Sequence, residues 1–208
     1  MAGPAPTRQR LMEAGMRLFA ERGFQATAVG DIEAEVGLQP RRGAMYKHFP
    51  SKHALLETAV RTYLENAATV AAAVSDVDLS AFGADRALLR PVIVGLGRWF
   101  LEEMDRLRDL TRVLEHDGQR MADLTVEVKT NIVDLSYRTA TRLISAAAPN
   151  AQDPEATAVL LLGALVALRR TAWTFGSPPL DTDDDRALTA WADLTIVTLA
   201  AARHESPT

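Results

Sequence analysis

The stretch GFQATAVGDIEAEVGLQPRRGAMYKHFPSK, residues 23–52, decides how this chain is read. Val29, Ile32 and Val36 recur at helical spacing, so they form one apolar stripe on a short helix. Thr27 is suited to cap its start, and Gly37 to end it with a left-handed residue. Pro40 suits the first turn of a third helix carrying Arg41, Arg42, Gly43, Ala44, Met45 and Tyr46, which the chain leaves before Phe49-Pro50. Ser51 is a strong cap for a fourth helix holding Leu55, Leu56, Ala59, Val60 and Tyr63.

Upstream, a first helix begins near Thr7, presents Leu11, Ala14, Leu18 and Phe19 on one face, and stops at Gly23. Two short helices joined by a glycine-containing turn, the second one basic, make a helix-turn-helix pattern, whose second helix enters the major groove. Downstream, Ser75 to Gly83 is a polar break. Helices are then expected near 85–104, 106–118, 122–147, 154–174 and 184–203, separated by Asp117-Gly118, Pro149 to Pro154 and Gly176 to Pro179. Strand-like alternation is missing, so the expected fold is all-α.

Charge is arranged to match. The 208 residues carry 23 Lys and Arg against 27 Asp and Glu, a net of −4. The first 66 residues hold nine basic and seven acidic side chains, a net of +2, which leaves −6 for the rest. A positive end on an acidic body steers a phosphate backbone to that end. The apolar share of 48% and charged share of 24% are those of a globular chain.

Several chemistries lack their residues. The absence of cysteine removes disulfides and thiolate sites and suits a reducing cytoplasmic setting. Residues 1–6 carry neither a basic nor an apolar signal segment and are expected to be a disordered tail. The longest apolar run, Ala158 to Leu168, is short of the roughly 20 residues a membrane span needs, so no membrane partner is expected. His48, His53, His116 and His204 have no metal-ligand spacing, and no nucleophile grouping, phosphate loop or carboxylate pair stands out. The run Asp181, Asp183, Asp184 and Asp185 lacks the EF-hand arrangement and suits a helix N-terminus. Neither an enzyme, a metal nor a cofactor is expected.

Gly23-Phe24, Ala26-Thr27, Asp31-Ile32, Val36-Gly37-Leu38, Tyr46 to Lys52 and Leu55-Leu56 stand in an order and spacing that resembles the N-terminal domain of the TetR family of bacterial repressors. The hallmark is a tyrosine, a nearby aromatic and a Ser-Lys helix start; the likeness covers about residues 7–65. Three departures stand out: Gly37 to Tyr46 is two residues longer than the common spacing, Glu33 occupies a position usually small, and His53 one often held by glutamate. The resemblance implies a three-helix DNA-binding domain over 7–52 and a helical ligand-binding and dimerisation domain over 53–204.

Each candidate contact also has a chemical reading. Thr27 at a helix start offers a hydroxyl and free N–H groups to phosphate. Tyr46, Lys47 and His48 reach backbone oxygens, and Lys52 supplies a point charge. Gln39, Arg41 and Arg42 are the candidate base readers, since Arg forks onto guanine and Gln onto adenine.

The segment Pro154 to Trp173 is apolar nearly all round and must be covered on more than one side, by its own chain or by a second copy. With Leu188, Trp191, Leu194, Val197 and Leu199 it could form half of a four-helix bundle, and the resemblance implies that homodimer. It also implies a small-molecule effector pocket, for which Trp99, Phe100, Met104, Asn131, Tyr137 and Trp173 are the candidate lining, beside Met121 and Phe175. A ligand that favours a conformation with wrongly spaced reading heads would release a palindromic operator. The alternative is a helical protein-interaction module of the same fold that binds no operator.

Overall fold

The computed structural model describes residues 6–40, 42–79 and 86–204. Among them there are helices and turns but no strand, in keeping with the all-α expectation. Residues 1–5 of the expected tail, and Arg41, lie outside the described residues.

The α-helices are α1 (Thr7–Arg22), α2 (Val29–Glu35), α3 (Lys52–Ser75), α4 (Arg86–Arg106), α5 (Arg108–Asp117), α6 (Ala122–Val128), α7 (Asp134–Ala147), α8 (Pro154–Phe175) and α9 (Asp184–His204). The helix expected over 122–147 is divided by a π-helical stretch at Lys129–Val133 between α6 and α7. The helix expected from Pro40 is corrected to a single 3₁₀ turn, Met45–Lys47. Gly43 accounts for this: its φ of +70° lies in the left-handed region, so no right-handed helix passes through it.

The chain forms two compact units. The first takes the chain up to Ala68 with Leu107–Ile132, and the second takes Thr69–Arg106 with Val133 onward. The core of the first is Leu11, Phe19, Ile32, Met45, Phe49, Leu55, Leu56 and Val60, which α5 and α6 close with Leu110, Val113 and Val128. These positions recur at helical spacing on α1 and α3, so burying one stripe of each forms the core. Ser51 caps α3 as expected, its Oγ accepting the Ala54 N–H at 3.0 Å.

In the second unit α4 packs against α9 and α8, and α7 packs against α8. Leu89, Ile93, Ala158, Leu161, Ala192 and Ile196 form one cluster; Leu101, Leu165 and Leu188 form another. Gly97 lets α4 approach α9, since a Cβ there would meet Leu188 and Trp191 at 2.8 Å. The Trp191 indole donates to the Leu161 carbonyl at 2.8 Å, tying α9 to α8. By length and composition alone α8 could cross a membrane. One side of it is packed within this unit, while Val159 and Leu160 on its outer side are exposed.

Candidate nucleic-acid interface

Between α2 and α3 the chain presents five of the expected DNA contacts to solvent: Gln39, Arg42, Tyr46, Lys47 and His48 are all exposed. The interior residues around them hold the segment in place. Met45 and Phe49, buried at 0% and 1% exposure, flank the exposed Tyr46 (56%), Lys47 and His48. The turn is closed by hydrogen bonds from the N–H of Tyr46 to the Gly43 carbonyl, and from those of His48 and Phe49 to the Met45 carbonyl. The guanidinium of Arg8 lies 4.8 Å above the Phe49 ring. Because the helix expected from Pro40 is only a 3₁₀ turn at Met45–Lys47, Gln39 and Arg42 stand ahead of that turn rather than on a helical face.

Thr27 is placed differently from expectation. It is 1% exposed, and its single hydroxyl proton is shared between the carbonyls of Gly23 at 2.9 Å and Leu18 at 3.2 Å. The cap position of α2 is Ala28, whose N–H is accepted by the Asp31 carboxylate at 3.1 Å. The Thr27 hydroxyl therefore secures the α1–α2 turn from inside and is not presented to a phosphate.

Lys52 is half-buried. Its ammonium donates to the Thr27 carbonyl at 2.8 Å and to the Phe24 carbonyl, and it sits 4.4 Å from the centroid of the Phe24 ring. Burial pushes its pKa below the usual lysine value, against the opposing pull of Asp117. An ammonium has three N–H donors, so one remains for an outside oxygen after the two carbonyls are served.

Two carboxylates that the sequence did not single out as site residues organise this surface. Asp117, at the end of α5 and 4% exposed, accepts the Phe24 N–H at 2.7 Å and is approached by Arg120 at 3.4 Å. Glu33, 0% exposed on α2, accepts the Met45 N–H at 3.0 Å. Arg10 of α1 donates to the Val36 carbonyl at the end of α2. For Asp117 no local signal exists, because its partner lies 93 positions away. Glu33 stands out in the sequence only as a charged residue at a position usually small in the family it resembles.

The effector candidates divide between the units. Trp99, Phe100, Met104, Tyr137 and Trp173 belong to the second unit and are all half-buried. Phe100 packs against Leu101, Leu165 and Leu188. The Trp173 indole donates to Asp105 at 3.0 Å, and Asp105 also pairs with Arg169. Asn131 belongs to the first unit, is exposed, and bonds its own helix at the Glu127 carbonyl. Its expected place as a polar group on an apolar pocket wall is corrected accordingly. Met121 packs on the first core, and Phe175 is 78% exposed. No cluster of metal-ligating side chains occurs among the described residues.

Residues 11–59 match the family model of the bacterial regulatory proteins of the tetR family. A similar segment occurs in the HTH-type transcriptional repressor KstR2 of Mycolicibacterium smegmatis, 37% identical over 62 residues, 30% of this chain and 29% of that protein. Another occurs in the HTH-type transcriptional repressor DhaR of a Mycobacterium species, 45% identical over 49 residues, 24% of each chain. This chain thus matches less than a third of the length of these curated relatives. Fold likeness runs further. A TetR-like transcriptional regulator of a Rhodococcus species matches with a TM-score of 0.64, 23% identity, and 96% of this chain against 99% of that one. SmeT, the repressor of the Stenotrophomonas maltophilia multidrug efflux pump SmeDEF, matches with a TM-score of 0.57 and 21% identity over 94% and 90% of the two chains. At those identities the likeness speaks for the fold.

Proposed function

We propose that this chain, which through residues 11–59 belongs to the tetR family of bacterial regulatory proteins, is a cytoplasmic DNA-binding transcriptional repressor. It acts as a homodimer released from a palindromic operator by a small-molecule effector. The observation that carries this reading is the exposed row Gln39, Arg42, Tyr46, Lys47 and His48, anchored by buried Met45 and Phe49 within that matched segment. Tyr46, Lys47, His48 and Lys52 serve the phosphate backbone; Gln39, Arg42 and Arg41 read bases.

Support for a second copy comes from the outer faces of α8 and α9. Val159 and Leu160 are 53% and 75% exposed, and Leu194 and Val197 are 57% and 53% exposed. Apolar surface on paired helices is covered when two such pairs form a four-helix bundle. The half-buried aromatics Trp99, Phe100, Tyr137 and Trp173, with Met104, suit an apolar or aromatic effector. The regulator reading leaves no step for an enzyme.

One observation favours a second reading. The segment expected to enter the groove is a 3₁₀ turn, not an α-helix, which suits an interaction module that binds no operator. Selection of duplexes from a randomised pool, followed by titration against salt, separates the two. Specific binding should weaken steeply with salt, by a log–log slope of about −0.9 per phosphate neutralised. Lys47→Ala is expected to weaken all duplexes alike, and Arg42→Ala to shift preference at particular bases. Failure to select any duplex at low ionic strength would leave only the second reading standing.

A further inference from the structure

Glu33 grips both ends of the irregular chain that precedes the 3₁₀ turn. Its backbone carbonyl accepts the Leu38 N–H at 2.9 Å, and its side-chain Oε1 accepts the Met45 N–H at 3.0 Å. The stretch between them, 39–44, contains the candidate base readers and lies within the Gly37–Tyr46 interval, which is two residues longer than the common spacing. In a continuous α-helix the Met45 N–H would bond the carbonyl four residues back. Gly43, at φ +70°, breaks that path, so the acceptor comes from another helix instead. Met45 is fully buried, as is Glu33, so the bond lies in the interior where an unmatched donor is most costly. Tyr46, Lys47 and His48 follow directly, and their directions depend on where Met45 is held.

We propose that Glu33 is a positioning residue for DNA recognition: by clamping Leu38 and Met45 it sets the pose of the segment that meets the duplex, and with it the base preference. This rests on the DNA-binding reading above. The side chain acts through Met45 and does not itself touch DNA, since it is buried.

The decisive comparison is Glu33→Gln, which keeps a carbonyl acceptor at nearly the same place, with Glu33→Leu, which keeps the bulk and removes the acceptor. Two properties of the full chain are measured: hydrogen exchange at the Met45 amide without DNA, and affinity for the duplex that the wild-type protein selects from a randomised pool. Glu33→Leu should speed Met45 exchange and weaken the selected duplex by about tenfold each, the worth of one buried hydrogen bond. It should also select altered bases on re-selection, while Glu33→Gln stays near wild type in all three. Unchanged exchange in Glu33→Leu overturns the proposal, as does a loss in Glu33→Gln equal to that in Glu33→Leu. If Glu33→Leu does not fold, Glu33→Ala takes its place with the same expectations. A wild-type protein that selects no duplex sinks the DNA-binding reading, whereas the exchange arm alone decides whether Glu33 holds Met45.

Discussion

The first unit exposes Gln39, Arg42, Tyr46, Lys47 and His48 along one segment, whereas the second exposes Val159, Leu160, Leu194 and Val197 on two helices. Both units bury apolar residues, in one cluster in the first and two in the second, so the difference lies in what each leaves outside. Polar and cationic groups on an irregular segment can each take a hydrogen bond from a charged backbone. Apolar groups on the exposed faces of helices gain nothing from water, so such a face suits burial against another apolar surface. One chain thus carries two kinds of exposed surface, one polar and cationic and the other apolar.

The strongest way to break this contrast is to place charge on the apolar face. In the proposed dimer, Leu160→Asp combined with Leu194→Asp is expected to raise the dissociation constant by about a hundredfold or more, because a carboxylate buried unpaired at that interface would cost several kcal/mol. Sedimentation velocity across a concentration series would show it. The same pair of changes should leave the helix content of the monomer intact, since both side chains are exposed within one copy.

A smaller effect tests what holds the first unit together. Asp117→Ala leaves the Phe24 N–H without its partner and should cost about 1–3 kcal/mol of unfolding free energy, read from a denaturant midpoint. Asp117→Asn keeps an acceptor and should recover most of that loss. Equal destabilisation by both would mean that charge, through Arg120 or Lys52, matters more than the hydrogen bond to the Phe24 N–H.

The smallest effect is a pH dependence confined to the first unit. Burial, then the charges of Asp109 and Glu13, raise the pKa of Tyr63 above its usual 10.0. The folded state therefore holds the phenol proton more tightly than the unfolded chain does. Tyr63 contributes stability fully present below pH 10 and lost as pH climbs from there through the folded-state pKa. Tyr63→Phe should flatten this alkaline decline in urea midpoints measured between about pH 9 and 11; an unchanged decline would assign it to other groups.

Much of this was legible from residue spacing. Leu11, Leu18 and Phe19 on α1, or Leu55, Leu56 and Val60 on α3, recur at intervals only a helix can bury together, and the core of the first unit follows from them. The exposed row from Gln39 to His48 was legible through its residue types and through the family pattern around it. What eluded sequence depended on backbone states and distant partners. Gly43 reads equally as a helix residue or as a left-handed stop, and only the fold chooses the stop. Thr27 reads as a cap because hydroxyls favour that place, yet two carbonyls from α1 and its end compete for it and win. Asn131 looked apolar-adjacent, but the π-helical stretch it occupies turns it to solvent.

The hydrogen bond between Asp117 and the Phe24 backbone has a practical corollary for anyone transplanting the reading head. A fragment cut after α3 would strand that amide and strip Leu110, Val113 and Val128 from the apolar interior. A chimera built from this protein must bring α5 and α6 along with the first three helices, although 32 residues, 76–107, divide α3 from α5 in the primary structure.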